Sequence, residues 1–133
     1  MFRKLNSKRG GFTLVEIMIV VAIIALLAAI AVPNFLRSRK RSQATMVLED
    51  LRLVAGATDQ YAIETGKAGS VVPVWADLVN YIKTDTRLYT SSGNDILGNP
   101  IKINAIDIAP QIDPVTFAAL SDVAPASFWS PYN

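Results

Sequence analysis

The sequence predicts an α+β protein: a long N-terminal helix, its first half transmembrane, packed on a small antiparallel-sheet head with short helices. Three observations carry this. Ile17 to Val32 is sixteen residues without a polar side chain. From Ser42 onward the apolar residues recur at helical spacing. Beyond Gly66 the chain becomes rich in turn residues, with short apolar–polar alternations between them. The predicted segments are a basic leader at 1–11, a membrane helix at 12–36, its amphipathic continuation at 37–66 and a globular head at 67–133.

The apolar stretch sets the class. Phe12 to Leu36 is 25 residues with one charge, Glu16. At about 1.5 Å per residue such a helix is roughly 37 Å long, enough to cross a hydrocarbon core of about 30 Å. A buried core helix of a small soluble domain would show a polar face, which this stretch lacks. Arg3, Lys4, Lys8 and Arg9 precede it, and Arg37, Arg39, Lys40 and Arg41 follow it. Four basic residues at each end leave the positive-inside count tied, so charge alone sets no orientation. Their long side chains can reach lipid headgroups from either end. Nucleic acid is not a predicted partner, because no stacking aromatics interleave with the basic cluster.

Charge is distributed unevenly. The 13 Lys and Arg against 11 Asp and Glu give a net +2. Four of the basic residues lie in the first 11 positions; without them, 9 basic face 11 acidic side chains, a net −2. Residues 42–133 carry 5 basic and 10 acidic groups. The chain thus reads as a basic leader, a basic collar and an acidic head. It has neither His nor Cys, so thiolate chemistry, a disulfide framework and the commonest general base are excluded. No nucleophile motif, phosphate loop or metal cluster is present. The expectation is a non-enzyme without cofactor or metal.

Residues 10–16 read Gly10-Gly11-Phe12-Thr13-Leu14-Val15-Glu16. A short basic leader ending in Gly, then Phe-Thr-Leu-Val-Glu and a long apolar helix, resembles the N-terminal signature of type IV pilins and type II secretion pseudopilins. The resemblance covers residues 8 to about 36, Pro33 included. It implies cleavage between Gly11 and Phe12 by a membrane-embedded prepilin peptidase, on the cytoplasmic face. It further implies N-methylation of Phe12 by the same enzyme. Glu16 would pair with the Phe12 amine of a neighbouring subunit during assembly. The partners implied are a homo-oligomeric filament with related minor pilins, the peptidase, an inner-membrane assembly platform, and membrane lipid before assembly. The implied location is the inner membrane, single-pass, with the head in the periplasm, then a periplasmic or cell-surface filament.

Elementary electrostatics leads the same way. A free α-amine is mostly protonated at neutral pH. A lone buried cation and a lone buried carboxylate are each costly, and pairing relieves both. Glu16 lies one helical turn from Phe12, so the pair can form within a chain or between chains. Thr13-x-x-Glu16 before an apolar run is also a capping box, which serves the helix start locally. Two glycines before Phe12 leave the implied scissile bond extended and accessible. Pro33 lacks an N–H and clashes one turn back; because apolar periodicity resumes beyond it, a helix kink is expected there.

The remainder predicts the head. Ala44, Val47, Leu48, Leu51, Val54, Ala55 and Tyr61 share one helical face, with Glu49, Asp50, Arg52, Asp59 and Gln60 on others. Gly66 stops the helix. Trp75 to Lys83 reads as a short helix, Thr90 to Pro100 as turns, and Asp113-Pro114 as a capped helix start. Ile101/Ile103 and Ile106/Ile108 alternate with polar residues, and the phase slip at Asn104-Ala105 predicts a tight hairpin or bulge. Phe128, Trp129 and Tyr132 are expected to pack the C-terminal tail onto the head. Asp95-Ile96-Leu97-Gly98-Asn99-Pro100 resembles a turn of major pseudopilins. Those proteins' C-terminal calcium loop is missing, and so is the Cys pair of many pilins, so the two branches stay open. Two other readings also stay open: a non-polymerising, membrane-anchored periplasmic binding domain, and a secreted protein cut after Ala31 at Ala29-Ile30-Ala31.

Overall fold

The computed structural model describes residues 10–133. The leader's basic residues, Arg3, Lys4, Lys8 and Arg9, lie outside the described residues. The chain divides into two units, Met1–Leu36 and Arg37–Asn133.

The long helix is α1, Leu14–Thr65, 52 residues. It begins two residues later than the apolar run because Thr13 serves as its cap. It passes through Pro33 without a break. At its other end Gly66 has φ +64°. This left-handed conformation is open to glycine at little cost and ends the helix as the sequence predicts. In the first unit every described residue is exposed. The helix there is long and apolar enough to cross a membrane, and none of its apolar window is buried.

The second unit has a conventional core. Ala44, Val47, Leu48, Leu51, Val54, Ala57 and Tyr61 of α1 are buried together with Leu78, Ile82, Leu88, Ile101, Ile112, Leu120, Ala124 and Trp129. The spacing along α1 is the predicted i, i+3, i+4, i+7 pattern, which turns one face inward. Ala55 is only half-buried. Asp50, expected on a solvent face, is 6% exposed and pairs with Arg87. That partner lies 37 residues away, so helical periodicity alone gives no sign of it.

Among the described residues, four short helices follow α1. α2, Trp75–Leu78, runs into a 3-10 turn at Val79–Tyr81, so the helix expected over Trp75 to Lys83 is shorter and tightens at its end. α3, Arg87–Thr90, was not expected; the Thr86 hydroxyl accepts from the Tyr89 N–H at its start. α4, Pro114–Leu120, begins as predicted, with the Asp113 carboxylate accepting from the Val115 N–H at 2.8 Å. α5, Ala126–Trp129, places the fully buried Trp129 in the core, where its indole N–H donates to the Ala124 carbonyl. Phe128 meets that indole edge-on at 4.9 Å, and Tyr132 also packs against the core.

The predicted antiparallel sheet is corrected. Among the described residues there is no strand, only two isolated antiparallel bridges, Asn94 with Pro100 and Lys102 with Gln111. Lys102 and Gln111 exchange both backbone hydrogen bonds, but the pairing does not extend. Pro100, Pro110 and Pro114 interrupt this stretch and cannot donate to a ladder. Three further N–H groups find different partners: Ile101 donates to Gly93, Ile106 to Val71 and Ile112 to Tyr132. Backbone groups are thereby satisfied one at a time rather than in register. The phase slip resolves as a turn closed by the Ile108 N–H on the Ala105 carbonyl.

Candidate processing and assembly site

Gly10 to Thr13 has no regular structure. Neither Gly10 nor Gly11 has any neighbour within 4 Å of where a Cβ would sit. Phe12 is 85% exposed and stands outside the helix. The Gly11–Phe12 bond is therefore unobstructed by the described residues.

The first turn of α1 is locked by a reciprocal pair. The Glu16 N–H donates to the Thr13 hydroxyl at 3.2 Å, and the Thr13 N–H donates to Glu16 Oε2 at 2.9 Å. This is the capping box that the Thr-x-x-Glu spacing specifies, and it satisfies two donors the helix start would otherwise leave open. It uses the amide of Thr13, not that of Phe12. A cut before Phe12 would therefore leave the box intact. A carboxylate has about four acceptor positions, so Glu16 retains capacity beyond this one bond.

Within and beyond the box, Leu14, Val15, Ile17, Met18 and the other large apolar residues through Leu36 are about half exposed or more. Fully burying one such large side chain is worth about 1.5–3 kcal/mol. A continuous exposed surface of this kind marks a segment made for lipid or for other protein. Pro33 sits inside this segment.

The structure also locates polar ties invisible to local sequence reading. Lys40 of the basic collar donates to Asp122 at 3.0 Å across 82 residues, and this ammonium holds the Asp122 carboxyl below its ordinary value. Asp95, 3% exposed, accepts from the Leu97 and Asn99 N–H groups and from the Thr116 hydroxyl, while Asn99 Nδ2 donates to Thr116. This network organises the 95–100 turn. At the end of α1, the Tyr81 hydroxyl donates to Glu64, which raises the Tyr81 pKa. Lys67 donates to the Tyr61 hydroxyl at 2.6 Å, which raises the Lys67 pKa. Burial lowers the pKa of Arg87. Among the described residues no three acidic side chains gather as a metal site.

Comparison with known proteins adds the following. Residues 6–32 match the family described as "Prokaryotic N-terminal methylation motif". The type IV major pilin protein PilA of Myxococcus xanthus is 43% identical over 61 residues, 46% of this chain and 28% of that protein. The type II secretion system core protein G of Klebsiella pneumoniae is 35% identical over 61 residues, 46% of this chain and 44% of that protein. Core protein G of Aeromonas hydrophila is 26% identical over 106 residues, 74% of each. The chain thus spans less than half the length of the first two. No solved structure matches it. Residues 6–32 thus carry the prokaryotic N-terminal methylation motif, and the chain's N-terminal part is similar to type IV pilins and type II secretion pseudopilins.

Proposed function

We propose that this chain is a structural subunit of a type IV pilus or a type II secretion pseudopilus, processed at Gly11–Phe12 and assembled through its N-terminal helix. The observation that carries the reading is the sequence of features at the start of α1: an accessible Gly-Gly-Phe, a capping box on Glu16, and an apolar helix with no burial of its own. Lipid covers that helix in the unassembled subunit, with the head in the periplasm. Neighbouring subunits, the major pilin together with related minor pilins, cover it in the filament.

In this reading prepilin peptidase removes residues 1–11 and methylates Phe12. The new amine is a cation at the edge of an apolar helix. Glu16 answers it from a neighbouring copy and so sets the register between subunits, as one buried polar group does in a coiled coil. The capping box holds the carboxylate at a fixed place before the partner arrives. Pro33 loosens the helix where its N–H is missing, allowing the apolar half to adjust to its neighbours. An inner-membrane platform supplies subunits to the growing base.

Mass spectrometry of the mature N-terminus tests this. The reading predicts a chain starting at N-methylated Phe12. A retained Met1 would instead support a membrane-anchored domain that never polymerises, and a start at Val32 a secreted protein.

A further inference from the structure

We propose that two opposite flanks of the C-terminal half of α1 form a head-to-tail contact between copies: an acid-rimmed groove on one copy receives the Arg39–Met46 stripe of the next. The inference rests on the filament reading above.

The receiving flank is a groove of about 760 Å³ along the last turns of α1. Its lining includes apolar Ala62, Ile63, Ile108 and Pro110, two acids, Asp59 and Asp107, and one base, Lys67, whose ammonium is engaged by the Tyr61 hydroxyl. Ile63 is 83% exposed and Ile108 59%. Among the described residues neither Asp59 nor Asp107 forms an ion pair.

The donating flank follows from helix geometry. At about 100° per residue, positions seven apart fall nearly on one line. Arg39 and Met46 therefore form a stripe, and it continues to Leu53. All three are exposed, and Arg39 makes no ion pair among the described residues. Relative to Asp59, Arg39 lies twenty residues back, roughly 160° around the axis. The stripe and the groove therefore occupy nearly opposite sides of the same helix. Lys40, by contrast, is already engaged by Asp122.

Opposite, complementary flanks cannot satisfy each other within one copy, nor in a closed two-fold pair. They fit a copy related mainly by translation, whose contact repeats without closing. A parallel copy displaced by about 17–20 residues of helix, roughly 25–30 Å, sets Met46 beside Ile63 and Arg39 within reach of Asp59. The charge pair fixes polarity, because reversing either helix removes it.

The chain has no Cys, so an introduced pair reports one contact only. In filament-producing cells, a chain carrying Arg39→Cys and Asp59→Cys should give a ladder of disulfide-linked multimers on oxidation. Separately, Arg39→Glu, or Asp59→Lys with Asp107→Lys, should reduce filaments at least tenfold while the mature Phe12 terminus is still made. All three changes together should restore them. Three results would overturn the proposal. The first is normal filaments from each reversal. The second is loss without restoration and without a ladder. The third is loss from Arg39→Glu alone with detachment of the unassembled subunit from membranes, which assigns the collar to lipid headgroups. A ladder stopping at dimers also contradicts the translational contact. If the unaltered chain forms no filaments, the filament reading itself fails; if it does, these outcomes bear on the contact alone.

Discussion

The two halves of α1 share one backbone geometry and differ in almost everything else. From Leu14 to Leu36 no residue is buried, and the helix is held at its start by a two-residue cap. From Ala44 to Tyr61 one face is buried against the head and the other carries charge. The first half has no core of its own, so its stability depends on what surrounds it. The second half is stabilised by packing within its own unit. One helix therefore joins a segment whose state depends on its environment to one whose state does not.

Changes confined to one half break this comparison if they disturb the other. Trp129→Ala has the largest expected effect. It empties a fully buried site in the head and should cost about 3–5 kcal/mol. Thermal unfolding of the detergent-solubilised chain would show the loss, and membrane retention should be unchanged. Ile24→Asp is the counterpart. A carboxylate near the middle of the span should cost about 2.5–3.5 kcal/mol of insertion. Fractionation should show less membrane-bound chain, while the head's unfolding midpoint stays in place.

Gly93→Ala comes next. Gly93 has φ +87°, and a Cβ there would sit 2.7 Å from the Trp75 ring. Both the backbone conformation and the contact oppose a side chain, so a loss of about 1–3 kcal/mol is expected. Chemical denaturation with unchanged slope would register it. The smallest effect belongs to Lys40 and Asp122, both near half exposed. The Asp122 pKa is depressed in the folded chain, so the contact contributes above the unfolded value and is lost as pH falls through the folded one. Melting curves between about pH 5 and pH 2 should show a small acid-side loss that Lys40→Ala abolishes.

The halves also differ in how far the sequence reveals them. The apolar run, the capping box, the Gly66 stop and the Asp113-Pro114 helix start are local signals, and each appears where local chemistry puts it. What the sequence did not reveal depends on distant partners. Asp50 reads as a surface residue until Arg87 is folded against it. α3 lies in a stretch dominated by turn residues and is held by Thr86 and by burial of Leu88. The Ile101–Ile108 alternation is a genuine strand pattern. A ladder also needs a second uninterrupted strand, and the prolines at 100, 110 and 114 remove it. At the proposed processing site, the accessible Gly-Gly-Phe and the Thr13–Glu16 pair were legible because every group involved lies within seven residues.

The most direct test of the central claim is electron microscopy of cells producing either the unaltered chain or Glu16→Ala, with the mature N-terminus of each determined in parallel. The account predicts filaments containing this subunit from the unaltered chain. It predicts none from Glu16→Ala, although that variant is still cut before Phe12. Normal filaments from Glu16→Ala would contradict it, since the carboxylate would then serve the helix cap and nothing between subunits.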